Sequence, residues 1–292
     1  KTLYYPQKFR MVRSYGGLMD ENDASRKEDQ KRNTGSSFTV CMLASGSKGN
    51  ATYISDGTTS ILLDAGLSGV EIERRLKSAG LSPEDLDAIL VSHEHSDHIK
   101  GVGILSRRYQ LPVYLTKETQ KAAQGIVGNL GETIYFQCGE SLKIKTMAVR
   151  PFSISHDACD PAGFTFSHQG IKLGIATDLG IATSLVKSHL AGCTILILEA
   201  NHDPEMLING PYSWPLKQRV KGRTGHLSNS DSRLLLKELL HEKLFHVILA
   251  HLSETNNTCE KAIREVGLAL QNTGNIDLSA AAQDRCTAVF RF

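Results

Sequence analysis

The stretch LVSHEHSDHIKG (90–101) places five ionisable side chains within six positions, directly after an apolar run. They are His93, Glu94, His95, Asp97 and His98. Imidazole nitrogens and carboxylate oxygens are the groups with which proteins bind zinc and similar divalent metals. The stretch therefore predicts a metal centre, and the alternative interpretation is a solvated loop that is rich in histidine.

Similar residues recur along the chain, because six strand-like runs each close on a histidine or a carboxylate. The closing residues are Asp64, His93, His156, Asp178, Glu199 and His251. In layered α/β folds the ends of the strands meet along one edge, where functional sites are built. Core packing does not explain polar residues at these positions, since the apolar positions lie inside the runs. The pattern predicts that the six residues meet at one site.

The spacing H-x-H-x-D-H predicts two divalent metal ions that share one turn. The first ion would be bound by His93, His95 and His156. The second would be bound by Asp97, His98 and His251. Asp178 would bridge both ions, and Asp64 would hydrogen-bond the far nitrogen of a ligand histidine. Histidine and aspartate ligands admit Zn²⁺ or Mn²⁺, and ligand softness does not separate the two metals.

The elements that position these residues alternate between strands and helices from residue 38 onward. FTVCMLASGSKGNATYISD predicts two strands around a Gly/Ser/Asn turn. Three segments have helical periodicity: GVEIERRLKSAG, KETQKAAQGIVG and SNSDSRLLLKELLHE. This alternation predicts helices packed on sheets, with most strands buried.

Length, charge and cysteine content limit the remaining possibilities. The 292 residues allow one large α/β domain or two small ones. Residues 1–37 are interpreted as a disordered extension, because 20–35 are almost wholly polar with mixed charge. A net charge of +2 is too small to predict nucleic-acid binding, so any basic surface must be local.

Six scattered cysteines without a CxxC pair predict reduced thiols in a cytoplasmic protein. No signal peptide is expected, since the first 37 residues contain no apolar core segment. No membrane contact is expected either, since no apolar run approaches the roughly 18 residues that a span requires.

The motif SHEHSDH, together with Asp64, His156, Asp178 and His251, resembles the metallo-β-lactamase superfamily. The resemblance covers residues 38–292 and implies one α/β domain, an αβ/βα four-layer sandwich with a dinuclear metal site. It implies a hydrolase and leaves the substrate open, because the superfamily includes lactonases, thioesterases, lactamases and nucleases.

ILILEANHD and GRTGHLSNSDSRLLLKELLHEKLFHVILAHLS resemble the tRNase Z arrangement of an acidic residue and a later histidine. The resemblance implies that Glu199 orients His226, which contacts the scissile phosphate or protonates the leaving oxygen. The alternative is a structural His226 near a helix N-terminus, with Ser228 or Asn229 as the cap.

Three longer stretches resemble the YycJ/WalJ family: LASGSKGNATYI (43–54), EANHDPEMLINGPYSWPLKQRVKGRTGHLSN (199–229) and AHLSETNNT (250–258). That family implies a 5′→3′ exonuclease that acts on double-stranded DNA. Water activated by two metal ions would attack phosphorus while Asp97 and Asp178 orient it. The remaining alternatives are a tRNase Z-like endoribonuclease, a hydrolase of small lactones or thioesters, and a non-catalytic nucleic-acid-binding module.

The segment PYSWPLKQRVKGR combines aromatic and basic residues in a way that suits nucleic acid. Its candidate substrate contacts are Trp214, Lys217, Arg219 and Arg223. Cations neutralise phosphates and aromatic faces stack on bases. A solvated loop with a buried Trp is the alternative. In SGSKGN (45–50), a backbone turn with Ser47, Lys48 and Asn50 suits a phosphate, although a plain turn would need no function.

Overall fold

The computed structural model describes residues 38–271 and 273–292, so the predicted extension 1–37 lies outside the described residues. Two seven-stranded mixed sheets pack face to face within them. The strands of the first sheet are β1 (Thr39–Ala44), β2 (Ala51–Ser55), β3 (Ser60–Leu63), β4 (Ala88–Leu90), β5 (Val113–Leu115), β6 (Thr133–Tyr135) and β14 (Phe290–Arg291). Their spatial order is β14-β1-β2-β3-β4-β5-β6, and β3 to β6 run parallel.

The second sheet repeats this plan with an antiparallel half and a parallel half. Its strands are β7 (Leu142–Ile144), β8 (Met147–Ser153), β9 (Ala162–His168), β10 (Ile171–Ala176), β11 (Ile195–Glu199), β12 (His246–Ala250) and β13 (Asp277–Ala280). Their order is β13-β12-β11-β10-β9-β8-β7, and β10 to β13 run parallel.

Helices cover the outer face of each sheet. Those of the first half are α1 (Gly69–Ser78), α2 (Ser96–Ile99), α3 (Val102–Tyr109) and α4 (Lys117–Val127). Those of the second half are α5 (Ser184–Leu190), α6 (Pro204–Asn209), α7 (Trp214–Val220), α8 (Asn229–Leu239) and α9 (Cys259–Gly267). Short 3₁₀ turns occur at Pro83–Asp85 and Leu268–Leu270. The three helical segments predicted from periodicity are α1, α4 and α8.

Three apolar layers hold the sandwich together. Between the sheets, the buried side chains include Val40, Ile54 and Phe164. Ile72 of α1 packs on the outside of the first sheet, and Leu236 of α8 packs on the outside of the second. Burying side chains of this size stabilises the folded chain by roughly 1.5–3 kcal/mol each. The order helix, sheet, sheet, helix confirms the predicted αβ/βα four-layer sandwich.

The parallel strands determine where the site forms. β3 and β4 in the first sheet, and β10 and β12 in the second, end at one edge of the sandwich. The chain leaves each of these strands through a histidine or aspartate before it enters a loop or helix. Among the residues that the structure describes, no helix is both long and apolar enough to cross a bilayer.

Candidate metal centre

The residues at the strand ends adopt an uncommon backbone conformation. Of six non-glycine residues with positive φ in the described chain, three lie here: Asp64 (φ 58°), Asp178 (φ 57°) and His251 (φ 55°). The left-handed region costs an L-residue roughly 1–2 kcal/mol. Backbone contacts hold the conformation, since Asp64 N donates to Leu90 O at 2.8 Å and His251 N donates to Ser45 Oγ at 2.7 Å. Such strain concentrates where side-chain direction matters for function.

The first group of donors consists of three histidines. The Nε2 atom of His93 lies 3.1 Å from Nδ1 of His95, and Nε2 of His156 lies 3.2 Å from the same atom. His93 and His156 are buried, and His95 is partly exposed. The ligand atoms of all three lie within 4.8 Å of one another, which is close enough for one metal ion.

The second group consists of Asp97, His98 and His251, whose ligand atoms also lie within 4.8 Å of one another. Nε2 of His98 lies 3.5 Å from Asp97 Oδ2, and Nε2 of His251 lies 3.8 Å from that oxygen. Asp178 lies between the two groups. Its carboxylate is 3.4 Å from Nε2 of both His98 and His251, and 4.0 Å from Nε2 of His156.

Unpartnered atoms in this cluster fit metal ligation. Asp178 Oδ2 and His251 Nε2 are buried and have no hydrogen-bond partner among the described residues. A buried polar atom without a hydrogen-bond partner costs about 1–3 kcal/mol of folding free energy. Two such atoms side by side are therefore rare unless a bound ligand contacts them. Both atoms face the cluster, and imidazole nitrogen with carboxylate oxygen is a donor set that divalent metals accept.

The electrostatics of the cluster also favour bound cations. Burial disfavours the charged form of Asp178, but His251 and His98 outweigh it and hold the pKa of this carboxyl well below its usual value. Burial likewise opposes protonation of His98, yet Asp178 and Asp64 raise the pKa of His98 well above its ordinary range. For His93, by contrast, burial and the neighbouring His98 lower the pKa. The pocket therefore stabilises positive charge beside Asp178 and keeps His93 neutral, as a metal ligand must be.

Hydrogen bonds from outside the cluster orient the histidines. His98 Nδ1 donates to Asp64 Oδ2 at 2.8 Å. This is the kind of hydrogen bond that the sequence predicts for Asp64. Ser92 fixes that carboxylate by donating its N–H to Oδ1 and its hydroxyl to Oδ2, both at 2.8 Å. His251 Nδ1 donates to Glu199 Oε1 at 2.8 Å. Partners of this kind fix the tautomer and ring direction of a ligand histidine.

Glu199 connects the cluster to His226. Its Oε1 accepts from His226 Nδ1 at 2.8 Å as well as from His251, and its Oε2 accepts from the backbone N–H groups of Leu179 and Leu227. Although burial disfavours the carboxylate, His226 and His251 lower the pKa of Glu199 to about 2. The side chain of His226 is 20% exposed, so the imidazole lies between the buried carboxylate and the open side of the site.

His226 does not cap the helix that follows it. The N-cap of α8 is Ser228, whose hydroxyl accepts from Asp231 N in a capping box. The backbone N–H of His226 donates to Val220 O at 2.8 Å, so this hydrogen bond fixes His226 to the C-terminal end of α7. Ser228 is one of the two caps that the structural alternative for His226 names, so the acid role of His226 stays a prediction.

Asn50 occupies a different position from the predicted phosphate contact. It is buried, and its Nδ2 lies 3.2 Å from Asp97 Oδ2 and 3.0 Å from His98 Nε2. Its backbone N–H donates to Asp97 O at 2.7 Å. Gly66 permits this approach, because a Cβ atom there would lie 1.6 Å from Asp97 O. Asn50 thus holds Asp97 from behind, whereas Ser47 and Lys48 in the same turn are exposed.

The basic aromatic segment forms the short helix α7 and its flanks instead of a loop with a buried Trp. Trp214 is 60% exposed, and Lys221 Nζ lies 5.2 Å from its ring centroid. Two predicted phosphate contacts are already engaged within the protein: Lys217 is buried and donates to Ile208 O at 2.7 Å, and Arg219 Nε lies 2.6 Å from Asp157 Oδ2. Arg223 is exposed, and its carbonyl accepts from Ser155 Oγ, one residue from His156.

Sequence reasoning missed several polar residues that position the cluster. Asn201 Nδ2 donates to His251 O at 2.9 Å, and Ser45 Oγ accepts the His251 N–H. Ser92 holds Asp64 as described above. Ser92 and Asn201 lie within two positions of a predicted site residue in the sequence, which is the only local signal that could have identified them.

Comparison with known proteins agrees with this geometry. Residues 59–247 match the family described as beta-lactamase superfamily domain. The chain is 39% identical over 235 residues to exodeoxyribonuclease YycJ of Bacillus anthracis, covering 80% of this chain and 89% of that protein. It is 37% identical over 230 residues to exodeoxyribonuclease WalJ of Streptococcus pneumoniae, covering 77% and 85%.

A solved structure extends the agreement to the fold. The metallo-beta-lactamase fold protein YhfI from Bacillus subtilis superposes with a TM-score of 0.68 over 88% of this chain and all of that one, at 16% identity. The metallo-β-lactamase fold implies divalent metal ions, and the histidine and aspartate cluster described above supplies donors for them.

Proposed function

Because the chain belongs to the β-lactamase superfamily and, within it, to the family of the YycJ and WalJ exodeoxyribonucleases, we propose that it is a metal-dependent phosphodiesterase acting as a 5′→3′ exonuclease on double-stranded DNA. The observation that carries the proposal is the pairing of a complete donor cluster with the Glu199–His226 hydrogen bond at its open side. A thioester hydrolase has no need of that pair, since its thiolate leaving group departs without a proton. The six unpaired cysteines support a cytoplasmic location.

Seven side chains would hold two divalent ions, Zn²⁺ or Mn²⁺, in the two groups predicted from the sequence. They are His93, His95 and His156 for one ion, Asp97, His98 and His251 for the other, and Asp178 between them. Bound there, the ions supply Lewis acidity toward a phosphoryl oxygen and lower the pKa of a water molecule.

The acid function falls to His226. With Nδ1 donating to the ionised carboxylate of Glu199, its Nε2 is the atom left for the substrate. A protonated His226 would donate from Nε2 to the departing sugar oxygen, and Glu199 would stabilise the imidazolium before that transfer. Two backbone N–H groups keep Glu199 in place during the proton transfer, so the pair does not reorganise.

Asp97 would orient the attacking water molecule. Its side chain is 21% exposed, more than that of Asp178, while Asn50 supports it from the buried side. The free part of the carboxylate would accept a hydrogen bond from the attacking water and direct the oxygen lone pair at phosphorus. Asp178, with the unpartnered Oδ2, would assist in the same orientation.

The DNA strand would be held by the exposed members of the predicted contacts. Trp214 offers an aromatic face at the surface, and Arg223 offers an exposed guanidinium three residues before His226. Stacking of a base on an exposed aromatic ring is worth about 1–3 kcal/mol. Ser47 and Lys48 would approach the phosphates from the other side, with Lys48 leaving an exposed ion pair to Glu254. Lys217 and Arg219 would support this surface through their internal contacts instead of touching DNA.

The test uses purified protein that is depleted of metal and then supplied with Mn²⁺ or Zn²⁺. A blunt duplex labelled at the 5′ end and a tRNA precursor with a 3′ trailer are offered in parallel. We expect metal-dependent release of short labelled products from the duplex, and no release by Asp97→Ala. Cleavage of the tRNA trailer alone would contradict the proposal in favour of a tRNase Z-like activity, and hydrolysis of small thioesters alone would contradict it in favour of the other enzyme class.

A further inference from the structure

A polar cleft of about 440 Å³ lies on the outer face of the second sheet, beside α5. Its floor is formed by paired residues of three strands: Arg150 of β8 is paired with Thr165 of β9, and Ser167 of β9 is paired with Lys172 of β10. Ser188 and His189 at the end of α5 form one wall. Helix α5 covers the neighbouring part of the sheet and ends here.

The cleft has an excess of positive charge. Arg150 is exposed and has no hydrogen-bond or ion-pair partner among the described residues. Lys172 Nζ donates to His189 O and Ala191 O, both at 2.7 Å, which fixes the ammonium at the carboxyl end of α5. It also hydrogen-bonds the Cys193 thiol, so Lys172 contributes its charge to the cleft. Among the described residues that line the cleft, none carries a carboxylate. Basic side chains on a surface of mixed charge usually form ion pairs with nearby carboxylates. The excess positive charge of this cleft therefore favours an anion from outside the protein.

His189 adds a rigid neutral donor. Its ring stacks on Phe152 with the centroids 4.8 Å apart and the planes 14° from parallel. Burial, together with Arg150 and Lys172, lowers the pKa of His189, so the imidazole is uncharged near neutral pH and carries one N–H. The Ser167 hydroxyl adds a further hydrogen-bonding group to the lining of the cleft, whereas the Ser188 hydroxyl donates to Leu185 O at 2.7 Å.

The cleft is separate from the metal centre. Arg150 and His156 are six positions apart along extended chain, and so are Lys172 and Asp178. At about 3.3 Å per residue, each path spans roughly 20 Å. A small ligand of this cleft therefore does not reach the metal centre, and its binding does not depend on the proposed nuclease activity.

We propose that this cleft is a binding site for the phosphate group of a small molecule. The Arg150 guanidinium presents a planar set of N–H groups that matches two phosphoryl oxygens, His189 donates from the wall, and the Lys172 charge attracts the anion. The volume admits a phosphate ester of nucleotide size, and the end of α5 with its cap closes the cleft on one side. A phosphate in a continuous DNA strand has the same chemistry, and the experiment separates the two sources.

The test follows the Nε–H resonances of ¹⁵N-arginine in the metal-loaded protein during titration with inorganic phosphate at constant ionic strength. We expect a saturable shift of the Arg150 resonance, which Arg150→Lys identifies by its loss. Arg108, ion-paired with Glu73 on the other half of the molecule, is the internal control and should not shift. An Arg150 shift that matches a chloride titration, or one no larger than that of Arg108, would overturn the proposal.

A variant and two further ligands in the same titration test which phosphate the cleft binds. Ser167→Asp leaves Arg150 in place and adds a carboxylate beside it, so phosphate binding should weaken at least tenfold. Equal binding by that variant would contradict the assigned site. Deoxyadenosine monophosphate should saturate the Arg150 shift as phosphate does. If only a single-stranded oligonucleotide without terminal phosphates saturates it, the cleft binds DNA backbone and the small-molecule proposal is overturned.

Discussion

Glu199 Oε1 lies 2.8 Å from His226 Nδ1, and the hydrogen bond joins a buried carboxylate to a partly exposed imidazole. The same oxygen accepts from His251 Nδ1 at 2.8 Å, so one atom orients both a proposed metal ligand and the proposed acid. Two backbone donors fix the other oxygen. Changes at Glu199 should therefore alter metal binding and catalysis together, whereas changes at His226 should alter catalysis alone.

Glu199→Gln tests this connection. The amide has one acceptor oxygen in place of two and cannot serve both imidazoles and both backbone N–H groups. We expect kcat on duplex DNA to fall roughly 10²- to 10⁴-fold, the usual range for loss of general acid catalysis, together with weaker metal binding. Metal titration followed by calorimetry measures the second effect. Glu265→Gln, which removes only a surface ion pair with Arg233, is the control and should change neither quantity.

Asp64→Asn tests how the His98 ring is held. Asparagine tolerates the left-handed backbone of this position, so the fold should persist. The amide can still accept from Ser92 N but leaves the His98 Nδ1–H without a carboxylate acceptor. We expect metal affinity to fall about 10- to 100-fold. The control is Asp56→Asn, an equally buried aspartate that accepts from Thr58 and Thr59 away from the cluster; equal losses in the two variants would show that Asp64 acts only through stability.

Asn50→Ala and Lys48→Ala separate support of the cluster from contact with DNA. Removal of the Asn50 amide frees the Asp97 carboxylate, so metal affinity and kcat should both fall. Lys48→Ala removes an exposed cation two residues away, so KM for duplex DNA should rise with kcat and metal content unchanged. Steady-state kinetics with metal analysis of both variants checks the split. Identical kinetic profiles would contradict the distinction between a buried and an exposed residue of this turn.

Cys286 should be the most reactive thiol at neutral pH. A hydrogen bond from the Cys41 thiol, assisted by Ser78 and the charges of Arg75 and Arg74, lowers the pKa of Cys286 to about 6. The thiolate therefore predominates above pH 6 and disappears below it, and alkylation by iodoacetamide should slow as the pH falls through that value. Cys159 is more exposed, but the Glu94 carboxylate raises its pKa. Faster labelling of Cys159 than of Cys286 at pH 7, measured by mass spectrometry, would contradict the assignment.

The fold and the members of the metal cluster could be predicted from sequence because their signals are local. An apolar run that closes on aspartate or histidine marks a strand end, and parallel strands place their ends at one edge. Asp64, Asp178 and His251 were identified in this way, and α8 was identified by its periodicity. Their roles as metal ligands or as supports of the ligands stay predictions.

The remaining contacts depend on residues that meet only in the folded chain. The turn around Asn50 predicts a phosphate contact, yet the folded chain sets the Asn50 amide against Asp97, 47 positions later. The charge of Lys217 predicts a DNA contact, but its position on α7 buries the side chain and directs Nζ to a backbone carbonyl. Neither burial nor partner is encoded in the local pattern of charges.

The most direct test of the central claim compares the wild type and His226→Ala on two phosphodiesters. Duplex DNA has a sugar alkoxide leaving group that requires a proton, whereas bis(p-nitrophenyl) phosphate releases a phenolate that does not. If His226 is the general acid, the variant should lose roughly 10²- to 10⁴-fold in kcat on DNA and retain near wild-type turnover of the nitrophenyl ester, with metal content unchanged. Equal losses on both substrates, or no loss on DNA, would contradict the account.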